Sequence, residues 1–166
     1  MAQPPMKVGS TDDYQTPEEA LSILMPYLKK EWVIWECAEG KGNLVKVLRE
    51  NGFNVISSDI KKGHNFMGGL ISSKFDCIVT NPPFSIKGMF IERCYQLGKP
   101  FALLMPLTAL EGEKRQQFWR KGLQLIIPNK RYNFEGPSGK GKGSWFATAW
   151  FTWGLNLPKD LNFIRA

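Results

Sequence analysis

Several features of specialised protein classes are missing from this sequence. No apolar run approaches the roughly 20 residues that a membrane-spanning helix needs, and the first 13 residues lack the apolar core of a signal peptide. The three cysteines (Cys37, Cys77 and Cys94) lie far apart and are odd in number, which argues against a disulfide framework, and they lack metal-ligand spacing. We therefore expect a cytoplasmic protein with reduced thiols, no bound metal and no membrane contact.

What is present fits one folded unit with a basic charge. The 166 residues are 43% hydrophobic and 22% charged, which are ordinary proportions for a single globular domain. The polar first residues, 1–13, are predicted to be a flexible arm, and 14–166 a single domain. Lys and Arg number 22 against 15 for Asp and Glu, so the net charge is +7. A positive field favours polyanions, and nucleic acid is the first partner to consider.

Apolar runs alternate with helical patterns along the chain. Thr16, Pro17 and the acids that follow indicate the start of a first helix, with Thr16 as its cap. The alternation predicts an α/β fold with a mostly parallel sheet. The predicted helices cover 17–28, 44–51, 86–97 and 111–120, and Pro26 is expected to limit or kink the first of them. The predicted strands cover 32–35, 53–57, 75–80, 101–105, 123–127 and 145–153.

Three polar motifs follow predicted strands, at 36–43, 58–59 and 81–84. Because parallel strands end at the same edge of a sheet, we expect these motifs to meet in one cleft. Gly40 and Gly42 allow a ligand close to the backbone, and Asp59 can accept hydrogen bonds from both hydroxyls of a ribose. An ordinary strand–helix turn and a capping aspartate are the alternatives. Together the two motifs favour an adenosine-containing cofactor.

The motif Asn81-Pro82-Pro83-Phe84 is the most distinctive in the chain. Two prolines in series remove two backbone donors, so acceptors remain: the Asn81 side-chain oxygen and nearby main-chain carbonyls. A planar exocyclic amine suits these acceptors, and its ring can stack on Phe84. Hydrogen bonds from the amine would support the charge that the nitrogen gains as it attacks a methyl donor. The alternative is a rigid turn after a strand.

Together these motifs resemble the class I S-adenosylmethionine-dependent methyltransferases, and in particular small phage- and prophage-encoded adenine-N6 DNA methyltransferases. The resemblance covers about 14–153 and implies a single-domain Rossmann-like methyltransferase fold, with helices on both faces of the sheet and S-adenosylmethionine as cofactor. It implies catalytic roles for Pro83 and for three neighbours: the Asn81 side chain and the Pro82 carbonyl accept the target amine, and Phe84 stacks on the base. The cofactor-binding residues that it implies are Tyr14, Thr16, Pro17, Glu36, Cys37, Ala38, Gly40, Gly42, Asp59, Ile60, Asn65 and Phe66.

The chain also departs from that family. Cys37 stands where the family commonly has proline, Asn65 where it has aspartate, and Glu39 adds a charge. A separate target-recognition domain is missing, so a separate specificity subunit is a possible partner. Relatives with the same motif methylate guanine in ribosomal RNA or a glutamine side chain, which leaves RNA and protein as alternative substrates to DNA. A binding module that has kept the cofactor pocket without activity is the third alternative.

Basic residues late in the chain are candidates for contact with nucleic acid. A glycine-rich stretch at 137–144 is predicted to be mobile and able to follow a phosphate backbone, although a solvated charged surface is the alternative. A target adenine must be flipped out or single-stranded to reach such a cleft. His64 is interpreted as a surface residue. The candidate nucleic-acid-binding residues are Lys114, Arg115, Lys130, Arg131, Lys140 and Lys142, with Tyr132, Phe134 and Trp145 as aromatics that could stack on a base.

Overall fold

A computed structural model of the chain describes residues 15–69, 74–136, 139–140 and 146–166. Its described helices are α1 (Glu18–Ser22), α2 (Asn43–Glu50), α3 (Lys87–Leu97) and α4 (Glu113–Trp119). Its described strands are β1 (Val33–Glu36), β2 (Asn54–Ser57), β3 (Cys77–Thr80), β4 (Phe101–Pro106), β5 (Gln124–Pro128), β6 (Glu135–Gly136), β7 (Gly139–Lys140), β8 (Thr148–Trp153) and β9 (Leu161–Ile164).

The main sheet contains seven of these strands in the order β2-β1-β3-β4-β8-β5-β9. Parallel pairing joins β1 to β2 and β3, β3 to β4, and β5 to β9, whereas β8 runs antiparallel to both β4 and β5. The predicted mostly parallel sheet is therefore confirmed. The strand β9 was not predicted. Asn162 is its only buried residue, so the sequence there lacks the apolar run that marks the other strands.

The core has two layers, one on each face of the sheet. Successive strand residues point to opposite faces, so Ile34 packs in one layer and Trp35 in the other. The first layer contains the apolar sides of α1 and α2, and the second contains those of α3 and α4. Helices thus cover both faces, as expected. No described helix is long and apolar enough to cross a membrane.

The first helix begins one residue later than the sequence predicts, and it ends before Pro26, which was expected to limit or kink it. Pro17 is the N-cap, with extended backbone angles, and α1 starts at Glu18 without a side-chain cap, so the prediction of Thr16 as the cap is wrong. Thr16 is instead buried, and its carbonyl accepts a hydrogen bond from the Asn43 amide. A 3₁₀ turn with Pro26 in its first turn follows α1, because proline cannot supply the N–H that a longer helix requires there.

The segment just after β5 packs in the core layer that contains α1. It buries Tyr132 and Phe134 in the first core layer, so the prediction that these two aromatics stack on a base is wrong. Part of the stretch predicted to be mobile, Gly139–Lys140, forms β7 and pairs with β6. The rest of that stretch, including Lys142, and the neighbouring Trp145 lie outside the described residues.

A buried indole joins this sheet to the first helix. The Trp150 ring on β8 is fully buried, and its Nε1–H donates to the Ala20 carbonyl at 2.7 Å. We predict that Trp150→Phe lowers the free energy of unfolding by about 2 kcal/mol or more, because a buried carbonyl loses its donor and a cavity opens. Urea denaturation measures this loss.

Trp153→Phe is the matched control for Trp150→Phe. Its Nε1–H donates to the Lys121 carbonyl at 2.8 Å in a solvent-exposed position, where water can replace the lost donor. The expected loss is about 1 kcal/mol or less. Equal losses in the two variants would contradict the structural role given to the Trp150 indole.

Candidate active site

A cavity of about 610 Å³ opens at the carboxyl ends of β1, β2 and β3, a size typical of small-molecule sites. The loops after these three strands form most of its wall, and the segment before α1 adds Gln15. The three polar motifs therefore meet in one cavity, as predicted from the order of the strands. The predicted site residues that line it are Thr16, Glu36, Cys37, Ala38, Gly40, Asp59, Ile60, Asn65, Phe66, Asn81 and Pro83.

Other predicted site residues lie near the cavity without lining it. Pro17 caps α1 and Gly42 caps α2, each next to a lining segment. Pro82 and Phe84 are buried and do not line the cavity in the described structure. Tyr14 lies outside the described residues.

The glycine loop after β1 is held to the end of β2. Gly40 has φ 56° and Gly42 has φ 82°, both in the left-handed region where glycine is favoured. The Gly40 N–H donates to Asp59 Oδ2 at 2.8 Å, and the Glu39 N–H donates to the Ser58 carbonyl at 3.1 Å. The first wall of the cavity is thus fixed by backbone bonds to the second.

Asp59 has the capping role that the sequence left as an alternative. Its Oδ1 accepts a hydrogen bond from the Lys61 N–H at 2.8 Å and caps the 3₁₀ turn Ile60–Lys62. Capping and ribose binding are compatible roles for Asp59, because a carboxylate offers about four lone-pair sites. The bonds from the Gly40 and Lys61 N–H groups use only half of them. Asp59 also lines the cavity, so ribose binding stays compatible with its place in the structure.

The extra charge of Glu39 is paired in the structure. Its carboxylate lies 2.9 Å from Lys62 Nζ, and the Glu39 side chain is only 14% exposed. This ion pair joins the glycine loop to the turn after β2. The charge that Glu39 adds to the loop is therefore paired with the charge of Lys62.

Glu36 is a buried carboxyl group at the centre of the site. Its Oε1 accepts hydrogen bonds from the Ala38 N–H at 2.9 Å and from the Thr80 hydroxyl. Burial raises the pKa of Glu36 to about 8; the two hydrogen bonds oppose this rise, and the charges of Glu39 and Asp59 add to it. Because Glu36 keeps its proton near neutral pH, the carboxyl group is buried in its uncharged form, which costs less free energy than burying a carboxylate.

The wall formed by Asn65 and Phe66 is built from aromatic contacts and from α3. The Phe66 ring stacks on Phe90 at 4.9 Å and meets Trp35 edge-on at 5.2 Å. The Arg93 guanidinium donates to the Phe66 carbonyl at 3.2 Å, and Asn65 Oδ1 accepts from the Met67 N–H at 3.0 Å. These bonds fix the position of the Phe66 ring at the cavity.

The Asn81–Phe84 motif follows β3 and forms the wall opposite Asp59. Asn81 and Pro83 line the cavity, whereas Phe84 is only 7% exposed and begins the 3₁₀ turn Phe84–Ile86. The Phe84 ring meets Phe146 edge-on at 5.4 Å. The Phe84 ring is therefore buried and does not line the cavity.

Sequence reasoning missed several lining residues. His64 was interpreted as a surface residue, but it is half-buried, lines the cavity and meets the Trp35 ring edge-on at 5.9 Å. The only sequence signal for it is that it lies between Asp59 and Phe66 in one loop. The further lining residues that were not predicted as site residues are Gln15, Glu39, Leu44, Lys61, Met67, Ile86, Met89 and Phe90.

The predicted nucleic-acid-binding residues lie outside the cavity lining. The Arg115 guanidinium donates to the Ala109 carbonyl at 2.9 Å, and Lys130 Nζ lies 2.7 Å from a Glu19 carboxylate oxygen. These two groups therefore hold the chain's own turns together. Lys114 and Arg131 are exposed, and the backbone of Lys140 belongs to β7.

No protein-family model and no curated protein sequence matches this chain. Among solved structures, it is similar to a protein from Listeria monocytogenes assigned to the class I S-adenosylmethionine-dependent methyltransferases, with a TM-score of 0.59, 12% identity, and coverage of 96% of this chain and 68% of that one. The Mtq2–Trm112 complex of E. cuniculi, responsible for methylation of the eRF1 termination factor, has a TM-score of 0.51, 15% identity, and coverage of 86% and 97%.

A modification subunit assigned to a type I restriction enzyme of Vibrio vulnificus is also similar, with a TM-score of 0.55 and 12% identity. The match covers 92% of this chain but 46% of that subunit, so the chain spans about half of its length. The prediction of S-adenosylmethionine as cofactor agrees with the neighbour from Listeria, which is described as dependent on it. These likenesses show that the chain has a Rossmann-like class I methyltransferase fold.

The burial of Glu36 predicts a pH-dependent stability. Its carboxyl group releases its proton near pH 4.5 when unfolded and near 8 when folded, so the folded state binds more protons between these values. The stabilising contribution is therefore complete below about pH 4.5 and is lost as the pH rises to about 8. Urea denaturation across this range should show wild-type stability falling more steeply than that of Glu36→Gln, which keeps an acceptor oxygen but does not titrate. Parallel pH curves would contradict the prediction.

Proposed function

We propose that this protein is an S-adenosylmethionine-dependent methyltransferase that acts on an exocyclic amine, with N6 of adenine in DNA as the favoured target. One observation carries the proposal: Asn81 and Pro83 line the same cavity as Glu36, Asp59 and Phe66. The amine-type motif and the cofactor-type residues thus face one enclosed space. A methyl donor bound there would lie beside the amine that the motif accepts.

The residues present fit the proposed cofactor. The acceptor capacity of Asp59 suits ribose hydroxyls, and the apolar surfaces of Ile60 and Phe66 suit an adenine ring. The polar groups of Gln15 and Thr16 lie at the same cavity and suit the amino-acid part. When bound, S-adenosylmethionine supplies an electrophilic methyl group.

The motif residues would orient the amine for attack. We assign the Asn81 side-chain oxygen and the Pro82 main-chain carbonyl as acceptors of its two N–H bonds; Pro82 is buried and does not line the cavity, so its carbonyl would have to become accessible when the substrate binds. Both acceptors stabilise the positive charge that develops on the nitrogen, and they direct its lone pair toward the cavity. Stacking of the target ring on Phe84 would require that ring to become accessible from the cavity, because it is only 7% exposed and does not line the cavity.

Charge supports a nucleic-acid substrate over a protein one. The chain carries a net +7, and a polyanion gains from that field whereas an uncharged glutamine side chain does not. The resemblance of its motif order to that of adenine-N6 enzymes supports DNA over RNA, whereas the structural neighbours include both a restriction–modification subunit and a 23S rRNA methyltransferase and do not separate the two. We also propose a separate specificity partner, because the restriction–modification neighbour is itself one subunit of a larger enzyme.

The first test identifies the polymer and the methylated atom. The protein is incubated with methyl-labelled S-adenosylmethionine and, separately, with single-stranded DNA, double-stranded DNA, RNA and protein. The expected product after digestion of DNA is N6-methyl-2′-deoxyadenosine. Label found only in RNA or protein would overturn the assignment of DNA.

Asn81→Ala tests the amine site. We expect the rate of methyl transfer to fall about a hundredfold or more, because one acceptor for the developing charge is lost. The affinity for S-adenosylmethionine, measured by calorimetry, should stay within about twofold of the wild type. Asn54→Ala, at an exposed position on β2, is the matched control and should keep full activity. A variant at Asn81 with wild-type turnover would refute the role.

Asp59→Ala tests the cofactor site. We expect the dissociation constant for S-adenosylmethionine to rise about tenfold or more, because the ribose loses a charged acceptor and the glycine loop loses its tie at Gly40. Asp160→Ala replaces an exposed aspartate outside the cavity and should leave the affinity unchanged. Unchanged affinity in Asp59→Ala would remove Asp59 from the proposed site.

A further inference from the structure

Five large apolar side chains are strongly exposed in the part of the chain that the structure describes. Three of them (Ile60, Ile86 and Met89) line the cavity, where a bound ligand would cover them. The other two are Leu161, 50% exposed, and Phe163, 74% exposed. Both lie on β9, at the opposite edge of the sheet from β2, so the cavity does not account for them.

The backbone of β9 offers hydrogen-bonding groups at the same two residues. The Leu125 N–H donates to the Asp160 carbonyl at 2.7 Å, and the Asn129 N–H donates to the Ile164 carbonyl at 3.0 Å. The carbonyls of Asp160 and Ile164 therefore face β5. Because successive residues of a strand alternate in direction, the N–H and C=O groups of Leu161 and Phe163 face away from the sheet.

These features are symmetric about Asn162. A two-fold axis perpendicular to a sheet does not exchange the two faces of the sheet. When two identical strands pair antiparallel about such an axis, residues opposite each other must therefore have side chains on the same face. Leu161 and Phe163 share a face and a backbone direction, and they flank Asn162 equally. An axis midway between the Asn162 residues of the two copies would place Leu161 of one copy opposite Phe163 of the other.

We propose that β9 is a self-association site, at which a second copy of this chain pairs antiparallel with Leu161 opposite Phe163. Each such pair would exchange both of its N–H···O bonds, the arrangement of a hydrogen-bonded pair in an antiparallel ladder. The four apolar side chains would form one cluster on a single face. This cluster continues the second core layer, because Leu161 and Phe163 are the neighbours of Leu125 and Ile127 across the β5–β9 pairing.

A second copy fits this edge better than an unrelated peptide. An unrelated strand would need its own apolar residues at the matching positions, whereas the chain supplies them by symmetry. An exposed edge strand with apolar side chains is also a known site of strand pairing. The cavity stays open in the pair, because its lining residues come from outside β5 and β9.

Sedimentation velocity over a concentration series tests the proposal on the full chain. We expect a reversible dimer, and in Phe163→Lys a dissociation constant raised about a hundredfold or more, since the contact contains Phe163 twice. The matched control is Ile60→Lys, an exposed apolar residue at the cavity, which should dimerise like the wild type. A wild-type chain that stays monomeric up to near-millimolar concentration, or a dimer that Phe163→Lys leaves intact, would overturn the proposal.

High salt separates this dimer from complexes bridged by nucleic acid. Strand pairing through backbone bonds and apolar side chains should persist in high salt, whereas bridging by a polyanion dissociates. Dissociation of the wild-type dimer at high salt would therefore overturn the proposal.

Cysteine cross-linking tests the register. In the double variant Leu161→Cys/Phe163→Cys, each new thiol faces a thiol of the other copy at a distance that a disulfide spans. We expect oxidation to give covalent dimers in the double variant and far fewer in either single variant. The native thiols give little background, because Cys37, Cys77 and Cys94 are buried. A single variant that cross-links as well as the double one would refute this register.

Discussion

The hydrogen bonds of the buried Glu36 carboxyl group hold the two halves of the site together. Glu36 accepts one hydrogen bond from the N–H of Ala38, which lies in the glycine loop. It accepts another from the hydroxyl of Thr80, the residue before Asn81. One carboxyl group thus joins the end of β1 to the end of β3. The pKa of Glu36 is raised because the effect of burial on it is larger than the opposing effect of the two hydrogen bonds. Near neutral pH the buried carboxyl group is therefore protonated and uncharged.

The rest of the cavity wall is fixed by groups that also have the chemistry to bind a ligand. Asp59 holds the glycine loop through Gly40 and still has acceptor capacity, and Arg93 holds the loop that carries Phe66. A site whose polar groups are already bonded to rigid elements loses little conformational entropy when a ligand arrives. The cavity wall is therefore preorganised for a cofactor.

The two edges of the sheet have different surfaces. The cavity lies near the β2 edge, with Ile60 exposed at its wall, whereas β9 forms the other edge with Leu161 and Phe163. Basic groups between them, such as Arg115 and Lys130, are engaged in bonds within the chain. These two side chains are therefore less available for the contacts with nucleic acid that the sequence predicts for them.

The sequence by itself determined the strands that carry the motifs and the meeting of those motifs in one cleft. Both depend on local pattern and on one general rule, that parallel strands end at a common edge. Only the tertiary structure decided how individual side chains are used. Phe84, Tyr132 and Phe134 read as available aromatics in the sequence, but long-range packing covers them. The strand β9 likewise exists only through its pairing with β5, because its exposed face leaves no buried run to recognise. Burial and edge pairing depend on residues far away in the chain, and a local pattern does not contain that information.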